Sequence, residues 1–124
     1  VILSEKQKFA NTKSHRRWKS RQIKEHLAAL NHKWHQKASK IARETVALYL
    51  LEHPCVDCGE TDIVVLEFDH VRGQKKNAIS NMITTGLSVK RIMAEIKKCE
   101  VVCANDHRRR TARRAKHFRY VRTP

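Results

Sequence analysis

Glycine and proline are scarce in this chain, at three and two among 124 residues. Neither occurs between Ser4 and His53. That excludes a turn-rich or all-β amino-terminal part and leaves a helix as the expected structure there. Aromatic residues are few (6%) and hydrophobic residues reach only 40%, so a large core is excluded and one modest domain with an extension is expected. No apolar run attains the roughly 18 residues of a membrane-spanning helix. The amino-terminal stretch has no apolar signal core. Both shortages point to a cytoplasmic protein, and in that reducing compartment the four cysteines read as metal ligands before disulfides.

Acidic residues are the other shortage, 12 against 27 Lys and Arg, for a formal charge of +15. Its placement says more than its size. Residues 1–53 carry 12 basic and 4 acidic side chains, residues 54–103 carry 7 of each, and residues 104–124 carry 8 and 1. A neutral centre between two basic arms suits a polyanion, so DNA held mainly through its phosphate backbone is the expected partner. A membrane-surface helix needs a clean apolar face opposite its charge. Residues 1–20 offer none, and no membrane partner is expected.

The composition divides the chain into a basic helical extension, residues 1–53, and a small domain, residues 54–124. Ile23, Leu27, Leu30, Trp34, Ala38, Ile41 and Leu48 fall at helical spacing. This 23–48 stripe suits packing on the chain's own domain, and its heptad-like period also suits a homodimer. Residues 1–20 are so polar that disorder until binding is expected. Pro54 closes the helix, and CVDCG follows, with Gly59 suited to a tight bend. DIVVLEFDHV reads as a strand, and RGQKKNAISNMITTG as a loop with a helical turn. SVKRIMAEIKK reads as a helix capped by Ser88, with Val89, Ile92, Met93 and Ile96 on one face. CEVVC is a second strand, and ANDHRRRTARRAKHFRY a final helix.

Cys55 and Cys58 form a C-x2-C knuckle. Cys103 can supply a third zinc ligand, and Asp106 stands at the spacing of a fourth. A metal clasp contributes much in a chain with so small a core. Two alternatives stay open on sequence alone. Cys99 is either a rival ligand or a buried small hydrophobe, and Asp106 is either a ligand or the cap of the last helix.

Asp69 and His70 end the first strand. Read alone, His70 is a core histidine. His107 changes that: it shares a helix face with Thr111, Ala115 and Phe118, the mildest face among the arginines, which is expected to turn toward the hairpin. Asp69, His70 and His107 then meet as a hard-metal site with a spare base, although adjacent strand residues point apart unless the strand twists or ends there.

CVDCG, LEFDHV and KCEVVCANDHRRRT together resemble the bacterial and phage HNH endonucleases. The resemblance spans roughly residues 50–115. It implies a small α+β protein, a long basic helix followed by a zinc-stapled ββα-metal nuclease domain, bacterial or phage-encoded. The family's second knuckle ends in Cys-His where this chain has Asp106–His107, and the family's central Asn aligns with Lys98. The implied roles are His70 as general base and Asp69 with His107 as holders of one Mg²⁺ or Mn²⁺ at the scissile phosphate. Cys55, Cys58, Cys103 and Asp106 are the zinc set. Arg108, Arg109, Arg110, Arg113 and Arg114, with Lys75, Lys76, Arg16 and Arg17, are the expected phosphate contacts.

Overall fold

A computed structural model describes residues 2, 4, 5 and 12–120. Among the described residues the longer elements are α1 (Lys13–Glu52), β1 (Leu66–His70), α2 (Ile79–Thr84), α3 (Val89–Ile96), β2 (Cys99–Cys103) and α4 (Ala104–Arg114). Of residues 1–20, for which disorder is expected, residues 1, 3 and 6–11 lie outside the described ones, and Lys13–Ser20 are helical. No described helix is long and apolar enough to cross a membrane.

The chain divides into two units, residues 1–36 and 37–124, rather than at the expected 53/54. The last turns of α1 belong with the second unit because they bury Ser39, Ala42, Val46 and Leu50. That face is rotated from the expected stripe, for Ile41 and Leu48 are 46% and 64% exposed. Small side chains at Ser39 and Ala42 allow close approach of the helix, which apolar spacing alone does not reveal. In the first unit, Ile23, Leu27, Leu30 and Trp34 lie exposed.

The second unit is α+β. β1 and β2 pair antiparallel, with Leu66 opposite Cys103 and His70 opposite Cys99. The first strand is shorter than its β-branched sequence suggests. Asp62 Oδ1 accepts from the amide of Val64 (3.0 Å) and its carbonyl from that of Val65 (3.1 Å). This local turn overrides strand propensity before Leu66. Ser88 caps α3 as expected, its Oγ accepting from the Arg91 amide at 3.3 Å. The deepest large side chains are Ile92 and Ile96 of α3 and Val102 of β2. Tyr49 packs on Phe68 with ring centroids 6.0 Å apart, joining the end of α1 to β1. α4 stops at Arg114, short of the expected Tyr120, where Lys116 turns to a φ of 50°. The Lys98 carbonyl accepts from the amides of Val71 (2.9 Å) and Arg72 (3.1 Å). It thereby holds the exit of β1 beside the entry of β2.

Candidate functional site

The knuckle at 55–58 is a tight turn closed by the Gly59 amide on the Cys55 carbonyl (2.9 Å), with Gly59 at a φ of 80° that a side chain disfavours. The Val56 amide donates to the Val101 carbonyl at 3.0 Å, docking the knuckle on β2. Cys103, the last residue of that strand, is also the cap of α4: its sulfur accepts from the Asp106 amide at 3.4 Å. Asp106 is therefore not the cap. It sits one turn in, with its side chain turned back to the cysteines.

The Sγ atoms of Cys55, Cys58 and Cys103 and a carboxylate oxygen of Asp106 all lie within 4.8 Å of one another. Tetrahedral zinc, with bonds of roughly 2.3 Å to sulfur and 2.0 Å to oxygen, sets sulfurs ~3.8 Å apart and sulfur ~3.5 Å from oxygen. The separations are 3.7 Å for Cys58–Cys103, 3.4 Å for Cys55–Asp106 and 3.2 Å for Cys103–Asp106. The donor set thus fits a metal ion of zinc's size and preference. The Asp106 carboxylate pushes the Cys58 thiol up to about 12, so metal binding must release that proton and is expected to weaken as pH falls. Arg109 holds Asp106 Oδ1 at 2.8 Å, leaving Oδ2 to face the sulfurs and acting as the outer support that ligating carboxylates generally need. Cys99 stands apart, buried, with its sulfur on the Glu95 carbonyl (3.5 Å), and burial pushes its thiol up to about 11. Its reading as a small hydrophobe is the one that matches.

The strand-end residues take different partners. Asp69 is buried and turned toward α4, where His107 Nε2 lies 3.7 Å from its Oδ1. Glu67, two residues earlier on the same face, accepts from His107 Nδ1 at 2.6 Å. His70 is turned toward α3, its Nε2 3.1 Å from Glu95 Oε1. The expected convergence of three side chains is thus met by Asp69 with His107 alone. Alternation along β1 carries His70 to the other face, since the strand runs through both residues before it ends.

The arginines of α4 depart most from expectation. The helix faces the sheet with Asp106, His107, Arg110 and Arg114, while Thr111, Ala115 and Phe118 are exposed. Arg110 reaches Asp57 (2.7 Å through both Nε and Nη2), Asp69 (2.9 Å) and Glu100 (3.2 Å). Arg114 grips both Asp69 oxygens at 2.8 and 2.7 Å. Carboxylates from the knuckle and both strands draw these guanidiniums inward, so neither is a free phosphate contact. Arg108 and Arg113 remain outward, bordering a cleft of about 720 Å³ with Asn105, Arg109, Arg119 and Tyr120. Lys75, Lys76, Arg16 and Arg17 are exposed as expected.

Two contrasting variants follow. Arg110→Ala leaves carboxylates without their bridge and is expected to lower unfolding free energy by about 2–4 kcal/mol in denaturant titrations. Arg108→Ala is expected to change stability by less than about 0.5 kcal/mol. Equal stability losses would contradict the inward placement of Arg110.

Acid provides a second check. The Arg114 guanidinium, helped by Arg110, holds the Asp69 carboxyl at about 2 against an ordinary 3.8. The Lys98 ammonium, the Lys76 amide and His70 together hold Glu95 at about 2 against 4.5. A carboxyl depressed by folding contributes stability that is complete above its unfolded value and lost as pH falls toward its folded one. The stability gap between wild type and Glu95→Gln is therefore expected to be full above pH 4.5 and to close toward pH 2. A gap constant across that window would show that Glu95 draws nothing from its charge.

No family model, curated protein or solved structure matches the chain. The site is known only from its own residues. Sequence reasoning missed Glu95 and the carboxylates Asp57, Glu67 and Glu100. A signal for Glu95 was present: it falls between Ile92 and Ile96 on the apolar face of α3, where an acid has no reason to stand unless something binds it.

Proposed function

We propose that this protein is a metal-dependent DNA endonuclease or nickase of the HNH type, acting in the cytoplasm, with a structural zinc clasp at Cys55, Cys58, Cys103 and Asp106. The observation that carries the reading is the pair Asp69 Oδ1–His107 Nε2, 3.7 Å apart, beside the strand end where His70 follows. Two ligands of one octahedral dication at ~2.1 Å stand between roughly 3 and 4 Å apart, so the pair fits one Mg²⁺ or Mn²⁺. Such an ion, when bound, would neutralise charge on the phosphate and on the leaving 3′-oxygen.

The opposite facing of Asp69 and His70 is compatible with this chemistry. An in-line displacement has the attacking water and the departing oxygen on opposite sides of phosphorus. A phosphodiester lying across the end of β1 would have His70 on the water side, taking its proton, and Asp69 with His107 on the leaving side. Arg108, Arg113, Lys75 and Lys76 would hold flanking phosphates, and Arg16 and Arg17 would make phosphate contacts of their own from the first unit. The exposed Ile23–Leu27–Leu30–Trp34 row would let two copies pair and cut both strands.

A second reading has its own support. Both Asp69 oxygens already accept from Arg110 and Arg114, as a zinc-stapled nucleic-acid-binding protein without catalysis would have them. Supercoiled plasmid incubated with zinc-loaded protein separates the two. Nicked or linear product that requires Mg²⁺ or Mn²⁺ supports the nuclease, and DNA retardation without product under both ions supports the binder.

A further inference from the structure

Glu95 is nearly inaccessible, at 3% exposure, yet its carboxylate makes three bonds. Oε1 accepts from the Lys76 amide (2.9 Å) and meets His70 Nε2 (3.1 Å); Oε2 accepts from Lys98 Nζ (2.9 Å). The last of its partners along the shared edge is again Lys98, whose ammonium also donates to the Gln74 carbonyl at 2.8 Å. Each donor steadies the carboxylate from a different segment: the loop after β1, the turn between α3 and β2, and β1 itself. Among the described residues His70 Nδ1 has no hydrogen-bond partner, and the ring is 14% exposed. An ionised carboxylate has no proton to give, so the hydrogen in the His70–Glu95 bond belongs to Nε2. The neutral ring is then left with its lone pair on Nδ1.

We propose that Glu95 is a positioning residue for His70, fixing the ring in the Nε2–H tautomer so that Nδ1 is the nitrogen that receives a proton. The catalytic consequence rests on the nuclease reading; the tautomer does not. A merely structural Glu95 would staple α3 to the loop at Lys76 and leave the ring free to exchange tautomers. A carboxylate behind a histidine acts through tautomer and orientation, and its loss costs turnover rather than binding.

The test couples a spectrum to kinetics. Long-range proton–nitrogen correlations of the ¹⁵N-labelled, zinc-loaded protein are recorded at about pH 8, where an ordinary imidazole is neutral. Wild-type His70 is expected to show the Nε2–H pattern. Glu95→Gln, whose amide oxygen can still accept from His70 and Lys76, should keep that pattern with kcat for plasmid nicking lowered about tenfold. Glu95→Leu should show averaged tautomers and kcat lowered about a hundredfold or more, with KM for DNA within about threefold. A wild-type ring that is Nδ1–H or averaged overturns the proposal, as does a rise in KM at unchanged kcat. Should Glu95→Leu not fold, the wild-type and Glu95→Gln spectra decide alone. Wild-type protein that cuts no DNA with any divalent ion defeats the nuclease reading, and the spectrum still settles whether Glu95 sets the tautomer.

Discussion

Stripping the metal from the clasp is expected to melt the second unit at a temperature lower by at least about 15 °C, read by circular dichroism with and without a strong chelator. The clasp adds a joint to segments otherwise tied by polar contacts, Arg110 on Asp57 among them. The knuckle docks on β2 through the Val56 amide, and Cys103 and Asp106 stand where β2 becomes α4. Removal of the ion leaves a buried carboxylate against three cysteines, held by hydrogen bonds from sulfur to Oδ2 and from Arg109 to Oδ1. The hydrophobic core around Ile92, Ile96 and Val102 is too small to absorb such a loss. The same experiment assigns the fourth ligand. Asp106→Cys should hold zinc against a higher chelator concentration, since zinc prefers thiolate, and Asp106→Ala should release it at a concentration lower by tenfold or more. Elemental analysis showing no bound metal, or a melting temperature indifferent to chelation, would remove the clasp from the account.

The parts of this protein written in local spacing could be read from its sequence. Cys55-x2-Cys58 and Cys103-x2-Asp106 mark a candidate ligand set because each pair lies within one turn of backbone, and Ser88 is a cap because its bond closes three residues away. What depends on distant partners could not be read so. Arg110 and Arg114 stand amid a run that looks solvated, and only the folded chain brings Asp57, 53 residues from Arg110, and Asp69, 41 residues from Arg110 and 45 from Arg114, against them. The phase of α1 failed for a related reason. Its large apolar residues mark one face, but the small ones at Ser39 and Ala42 meet the core. Asp69 and His70 show both cases at once. Their adjacency was evident, the opposed facing follows from strand geometry, and the partner awaiting each face, His107 or Glu95, was not written nearby. The anomaly of a glutamate on the apolar side of α3 was a further long-range clue.

His70→Ala is expected to lower the rate of plasmid nicking by about a hundredfold to ten-thousandfold, the range a positioned general base contributes, with DNA affinity and melting temperature little changed because the ring is a partner of Glu95 rather than a core support. Asp69→Asn should lose comparable activity for a different reason: a neutral amide is a poor ligand for a hard dication, and higher Mn²⁺ should restore part of the rate, which it should not do for His70→Ala. Arg114→Ala tests whether the two events compete for one carboxylate. Arg114 binds both oxygens of Asp69, so a cation entering beside His107 must displace at least one of those bonds. Freed of Arg114, the carboxylate should take up Mn²⁺ at a concentration several-fold lower, read as the ion concentration for half-maximal nicking. The binder reading expects the reverse pattern: no nicking in any variant and, in Arg114→Ala, only weakened folding and DNA retention. A nicking rate that His70→Ala leaves intact would place the proton acceptor elsewhere, and an Arg114→Ala protein with unaltered ion dependence would mean that Asp69 serves the fold and not the ion.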